Sequence, residues 1–264
     1  MHNVELDIAV NGVAKVTLNR PDVHNAFDDE VIASLIDIFE QIENNDNVRL
    51  MILQARGKSF SAGADLNWMK KMADYSLDEN KGDAAQLATM LNKLYRLNKP
   101  TIARVQGAAF GGAVGLVACC DIAIGSKLSK FCLSEVKLGL IPATISPYVV
   151  NAIGLREAKR LFMTAEVISS RRARRLGLLN EAVSEQDLDT TIDEIIKNIL
   201  KNGPVAVSLA KQLACDIANR PIDDALIDET SELIANVRVS KEGQEGLSAF
   251  LNKRKANWNT SDDQ

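Results

Sequence analysis

The sequence predicts an α/β chain, with a β/α first part and a helical tail. Three observations carry this. Residues 4–10 and 13–19 alternate apolar and polar side chains around Asn11-Gly12, the pattern of a β-hairpin whose Asn-Gly centre suits a type I′ turn. From there to Pro142, short apolar β-branched runs alternate with segments of helical period. Beyond Pro142 the strand signal fades and helical periodicity alone continues.

The elements follow in order. Over 28–42, Val31, Leu35, Ile38, Phe39 and Ile42 fall on one helical face. Residues 48–53 return as a buried strand. Residues 66–73 and 79–97 read as helices, the second closed by Lys99-Pro100. A strand follows over 101–106, then a helix over 112–120 that is apolar on nearly every face and therefore buried. Short strands are expected at 121–124 and 131–133. Helices are expected at 146–153, 157–163, 170–176, 188–201, 205–218 and 223–239. No internal repeat or low-complexity linker interrupts the chain. The expected division is a core over 1–195 and a helical region over 196–264.

Composition narrows the function classes. The 264 residues are 46% hydrophobic and 25% charged, as in ordinary globular proteins. A net charge of −4 gives no reason to expect nucleic acid as a partner. The longest apolar run, 113–120, is too short to span a membrane, and the opening Met1-His2-Asn3-Val4-Glu5 has no signal-peptide pattern. Cys119, Cys120, Cys132 and Cys215 show no CxxC spacing and read as free thiols, fitting a reducing cytoplasm and no metal site. With His2 and His24 as the only histidines, a Ser-His-Asp triad is hard to build.

Two glycine-rich turns stand out. Gly57-Lys58-Ser59-Phe60-Ser61-Ala62-Gly63-Ala64-Asp65-Leu66 follows one expected strand, and the run Gly107 to Ala113, containing Gly111-Gly112, follows another. Each leads into an expected helix. Two such turns can offer two backbone N–H groups to one ligand oxygen, an arrangement suited to an oxyanion. Neither fits a nucleotide fingerprint: Ile52 stands where a P-loop needs its first glycine, and the second run lacks GxGxxG. Taken singly, either is a tight turn and nothing more.

Together with Leu18-Asn19-Arg20-Pro21, Asn25-Ala26, Val105-Gln106-Gly107, Cys120-Asp121, Phe131 with Glu135, Gly139-Leu140-Ile141-Pro142 and the run from Ser248 to Ala256, these turns give the chain a resemblance, from Val4 to Trp258, to the crotonase superfamily, the enoyl-CoA hydratase/isomerase group. The resemblance implies a ββα superhelical spiral core with a C-terminal helical region, assembled as a homotrimer or a dimer of trimers. It implies an acyl-CoA substrate, whose coenzyme A is part of the thioester and not a separate cofactor. The thioester oxygen would be held by the amides of Ala64 and Gly112, with Asp65 steadying the first turn.

Glu135 matches the glutamate that faces the substrate carbons in this family, where a carboxyl group can shuttle a proton next to an enolate. The chain departs from the two-glutamate pattern: Gly115 stands where the second glutamate would be. Ser146, Thr144 and Tyr148 are candidates to assist, by proximity in sequence. Asp22, Val23, His24, Ala26, Ala62, Gly63, Ala64, Asp65 and Leu66 match the segments that contact CoA, Ala62 near the adenine, although many relatives carry a lysine where Asp22 stands. Phe250 and Lys253 match a wall supplied by a neighbouring subunit. The run from Arg171 to Arg175 reads as a solvated helix face.

Within the superfamily the segments 65–72 and 140–148 most resemble bacterial methylglutaconyl-CoA hydratases, implying hydration of a branched, dicarboxylic enoyl-CoA. Lys70, Lys71 or Arg96 would then be candidates to meet the distal carboxylate. A Δ3,Δ2-enoyl-CoA isomerase or other crotonase-type reaction, and a non-catalytic acyl-CoA-binding protein, stand as alternatives.

Overall fold

The computed structural model describes residues 2–259; Met1 and 260–264, the last five residues of the expected helical region, lie outside them. The chain forms two compact units, 1–192 and 193–264.

The first unit begins with β1 (Val4–Ile8) and β2 (Val13–Leu18), paired antiparallel with Val4 opposite Leu18. The expected two-residue I′ turn does not form. A I′ turn needs positive φ at both central residues, and here Gly12 (φ 84°) has it while Asn11 does not. Gly12 N–H donates to Ala9 C=O (2.9 Å) and Ala9 N–H to Val13 C=O (3.0 Å), so the connection is a three-residue loop closed by a left-handed glycine. A side chain on Gly12 would lie 2.6 Å from Asn47 C=O. The glycine therefore lets the hairpin lie flush against the approach to β3.

α1 (Asp29–Glu43) is capped by Asp28, which accepts from Val31 N–H at 3.0 Å, and buries the face expected from its periodicity plus Ile32. β3 (Leu50–Ala55), α2 (Leu66–Ala73) and α3 (Leu77–Arg96) follow. α3 starts earlier than its apolar pattern suggests, because Ser76 and Glu79 close a reciprocal capping box. β4 (Thr101–Val105), β5 (Ala108–Phe110) and α4 (Gly112–Cys119) come next, then β6 (Ile122–Ser126) and β7 (Lys130–Cys132). The unit continues with α5 (Ser146–Ile153), α6 (Leu155–Thr164), β8 (Ile168–Ser169), α7 (Ser170–Leu176) and β9 (Glu181–Val183). α8 (Leu188–Leu200) runs across the boundary between the units.

Six strands form one sheet in the order β1-β2-β3-β4-β6-β9, parallel after the opening hairpin; β5, β7 and β8 form a second, small sheet. The main sheet's inner strands β2, β3 and β4 are buried nearly throughout, as parallel strands require, while the edge strands β1 and β9 are partly exposed. Asp121, after α4, accepts from Thr101 N–H (2.8 Å) and Oγ1 (2.9 Å) and ties the start of β4 to β6. Phe27, Phe39, Phe60, Leu35, Leu53 and Leu91 fill the core. β5 was not expected from sequence: three residues between two glycines are too few to show a period.

The second unit contains α9 (Pro204–Ile217), α10 (Asp224–Val239) and α11 (Lys241–Leu251). Glu242 on α11 accepts from Val205 and Ala206 N–H (3.0 and 2.8 Å) and so caps α9, whose own N-cap residue, Gly203, has no side chain to do so. α11 was not expected. Gly243 and Gly246 lower its intrinsic propensity, and Ser240, which accepts from Gly243 N–H at 3.0 Å, supplies the start. Among the described residues no helix is long and apolar enough to cross a membrane.

Candidate active site

The two glycine-rich turns meet. Ser61 N–H donates to Ala108 C=O and Phe110 N–H to Ser61 C=O, both at 3.0 Å. A side chain on Gly107 would collide with Lys58 C=O, and one on Gly63 would lie 3.0 Å from Phe110 C=O. Both glycines have positive φ (61° and 96°), so each position needs glycine for its backbone and for the close approach.

Phe27 is the strut between the amides in question. Its N–H donates to Gly63 C=O and its C=O accepts from Asp65 N–H, both at 2.8 Å. In that parallel bridge, Ala64 is the residue facing Phe27, so its own N–H points the other way. The Phe27 ring packs on Gly112, where an added Cβ would stand 2.8 Å from Cε2. Gly112 opens α4, where N–H groups have no partner within the helix. Among the described residues neither the Ala64 nor the Gly112 amide donates to a backbone or side-chain acceptor.

Side chains hold the first turn. Asn25, 2% exposed, donates to Arg56 C=O (2.8 Å) and Ser59 C=O (2.9 Å) while accepting from Arg20 N–H (2.8 Å). Gln106 donates to Ala55 C=O at 2.6 Å. Asp65 caps α2, accepting from Asn67 N–H at 2.8 Å and Trp68 N–H at 3.4 Å, and pairs with Arg20 at 3.0 Å. Arg20 also pairs with Asp28 at 2.9 Å. Burial raises the Asp65 carboxyl, but the two amides and Arg20 outweigh it and leave the pKa below the usual range. Ala62 N–H donates to His24 C=O (2.9 Å), and His24 Nδ1 lies 3.3 Å from Ser59 Oγ. His24 and Asn25 both have positive φ, which lets the chain fold back over this turn.

Glu135 opens a short 3-10 turn, Glu135–Leu138, closed by left-handed Gly139. An added Cβ on Gly111 would lie 3.5 Å from Glu135 Oε1, so the carboxyl stands directly over the residue before Gly112. Its Oε2 is buried without a hydrogen-bond partner. Burial pushes the carboxyl up, only partly offset by its own backbone amide. A carboxyl group whose proton affinity is raised by burial, beside a helix N-terminus and two unengaged amides, can pass a proton to carbon while negative charge is held on a neighbouring oxygen.

The structure thus links residues 23–26, 62–66, 112 and 135 through a continuous chain of contacts. Asp22, Val23 and His24 are exposed around the 3-10 turn Pro21–Val23, Ala26 is buried behind them, and Ala62, Ala64 and Leu66 are exposed. Phe250, 82% exposed, lies in the last turn of α11 in the second unit, and exposed Lys253 follows in a left-handed conformation. Tyr148 packs on Tyr95 (ring centroids 5.2 Å apart), and its phenol is raised by burial and by Cys119, at the far end of α4 from Gly112. Ser146 Oγ donates to Ala143 C=O, and Arg96 donates to Asn92. Lys70 and Lys71 lie exposed in the last turn of α2. Sequence reasoning did not assign the supports Arg20, Asn25 and Gln106 a task, although each lies in a motif it singled out.

Residues 9–261 match the enoyl-CoA hydratase/isomerase family model. A solved enoyl-CoA hydratase structure from Shewanella pealeana is 46% identical and superimposes with a TM-score of 0.94, covering 97% of this chain and 96% of that one. A short-chain-enoyl-CoA hydratase of Clostridium acetobutylicum is 36% identical, covering 92% of each chain. A crotonyl-CoA hydratase of Syntrophomonas wolfei is 32% identical, over 93% of this chain and 94% of that one. The likeness in structure over nearly the whole of both chains shows the same fold. The chain belongs to the enoyl-CoA hydratase/isomerase family of the crotonase superfamily.

Proposed function

We propose that the protein catalyses reversible addition of water to a 2-enoyl-CoA thioester, with Glu135 as its one proton-transferring carboxylate. In the forward direction Glu135 takes a proton from water as the water oxygen bonds to C3. The C=C electrons move onto the thioester oxygen, which accepts hydrogen bonds from the Ala64 and Gly112 amides. The same proton then passes from Glu135 to C2 as the thioester carbonyl re-forms, giving a 3-hydroxyacyl-CoA. Preorganised amides favour the enolate without rearranging, and removal of one such donor typically costs about 3–4 kcal/mol of transition-state stabilisation.

The observation that carries this reading is the buried, unpartnered Oε2 of Glu135 over Gly111, next to two unengaged amides. Asp22, Val23, His24, Ala26 and the backbone of 62–66 line the CoA side. Exposed Val23 and Leu66 offer apolar surface to the pantetheine arm. Phe250 and Lys253 complete a neighbouring subunit's site in a trimer or a dimer of trimers, working in the cytoplasm. The acyl group is branched and 3-methylglutaconyl-like, from the resemblance of segments 65–72 and 140–148.

A second reading, Δ3,Δ2-enoyl-CoA isomerisation, has one observation in its favour: position 115, one turn along α4 from Gly112, carries no side chain, as suits one base moving a proton between two carbons. Mass spectrometry of products from 3-methylglutaconyl-CoA, crotonyl-CoA and a 3-enoyl-CoA decides. Gain of one water, fastest on the branched substrate, supports the hydratase. An unchanged mass with a displaced double bond supports the isomerase. CoA-ester binding without turnover leaves a binding protein.

A further inference from the structure

Gly115 lies inside α4, a buried helix that is otherwise hydrocarbon, and its φ is not positive. Glycine in a helix interior is disfavoured relative to alanine, so its presence needs another cause. The cause is Ile145, the 1%-exposed residue that precedes α5. An added Cβ at 115 would overlap Ile145 Cγ2, stand 2.8 Å from Ile145 Cβ and 3.4 Å from Leu91 Cδ2. Ile145 therefore occupies the space of a side chain at 115.

That space bears on the site. Position 115 is one turn along α4 from Gly112, about 4.5 Å along the axis. Side chains on a helix lean toward its N-terminus, so a long side chain at 115 would extend over the first turn toward Gly112 and Gly111, where Glu135 stands. Ile145 fills this volume with hydrocarbon from the neighbouring element.

We propose that Ile145 is a specificity-determining residue: it seals the α4 wall of the site one turn inside Gly112, excludes a second polar side chain there, and leaves Glu135 as the sole proton carrier. The catalytic half of this inference rests on the proposed hydratase or isomerase reading.

A double-mutant cycle tests it. Gly115→Ala should lower the melting temperature in the wild-type background by overlap with Ile145. In an Ile145→Ala background, which removes the Cγ2 overlap but keeps Cβ at 2.8 Å, the same change should lower it by clearly less. A Gly115→Glu change made with Ile145→Ala should raise the ratio of crotonyl-CoA hydration to 3-enoyl-CoA isomerisation at least tenfold over Ile145→Ala alone. Equal effects of Gly115→Ala in both backgrounds would overturn the sealing role. An unchanged ratio in a folded double variant would overturn the specificity role. If the wild type performs neither reaction, the functional reading fails, while the melting cycle still reports where Ile145 sits.

Discussion

The two glycine-rich turns present similar backbone amides but are built differently. The first, from Gly57 to Asp65, is tied by side chains: Asn25 and Gln106 hold its carbonyls, and Asp65 with Arg20 fixes its exit. The second, from Gly107 to Gly112, is tied by backbone and space. Lys130 N–H donates to Gly107 C=O (2.9 Å), Gly111 N–H donates to Cys132 C=O (2.8 Å), and no side chain caps α4. Phe27 joins them by pairing with one and packing on the other. The difference teaches where each amide is vulnerable. The first turn responds to loss of charge and hydrogen bonds; both respond to loss of glycine, the second more strongly.

Gly107→Ala should show the contrast at its largest. Its Cβ would overlap a backbone carbonyl at a positive φ, a combination costing about 4 kcal/mol or more. The melting temperature should fall by on the order of 10 °C, or the chain should fail to fold. Gly63→Ala forces the two turns apart by a few tenths of an ångström. It should lower kcat about 10- to 100-fold in a still-folded protein, because small misplacements of catalytic groups are expensive. Asp65→Ala removes a helix cap and should cost about 1–2 kcal/mol of stability. In a cycle with Arg20→Met, the coupling measured by denaturant unfolding should be about 1 kcal/mol. No coupling would mean that the ion pair does not steady the first turn.

The smallest effect expected is on pH-dependent stability at Glu135. Its pKa is raised in the folded protein, so the folded state holds this proton more tightly than the unfolded chain. Stability from this group is therefore lost as pH rises through the interval between its unfolded and folded values. At neutral pH the buried charge destabilises the fold; below the unfolded pKa, about 4.3, it no longer does. Glu135→Gln should melt higher than wild type at pH 7, with the advantage gone at pH 4. Wild-type kcat/KM should lose activity toward acid with a midpoint above the ordinary carboxylate range.

Much of this architecture was legible in the sequence where local signals agree with packing. The apolar face of α1, the buried α4 and the strand before each glycine turn follow from periodicity. The hairpin turn was misread because Asn-Gly favours I′ geometry locally, while the approach of 47–49 selects the wider loop. α11 was missed because its glycines serve close contacts, Gly243 against Val237 C=O and Gly246 against Trp258. At the site, Glu135 and the amides of Ala64 and Gly112 were singled out by the family resemblance of their motifs. Their supports were not, because Arg20 reaches Asp65, and Asn25 and Gln106 reach the carbonyls of Arg56, Ser59 and Ala55, at separations of 31 to 51 residues. The filling of position 115 by Ile145 is likewise a tertiary fact, although the glycine in a helical apolar run was its visible trace.

The most direct test compares wild type with Glu135→Gln on crotonyl-CoA and 3-methylglutaconyl-CoA, measuring water addition by mass spectrometry and CoA-ester affinity by calorimetry. The account predicts a loss of turnover of about 10²- to 10⁴-fold, the usual contribution of a general acid–base group, with affinity retained. Turnover surviving in the glutamine variant would contradict the assignment of Glu135 as the proton carrier.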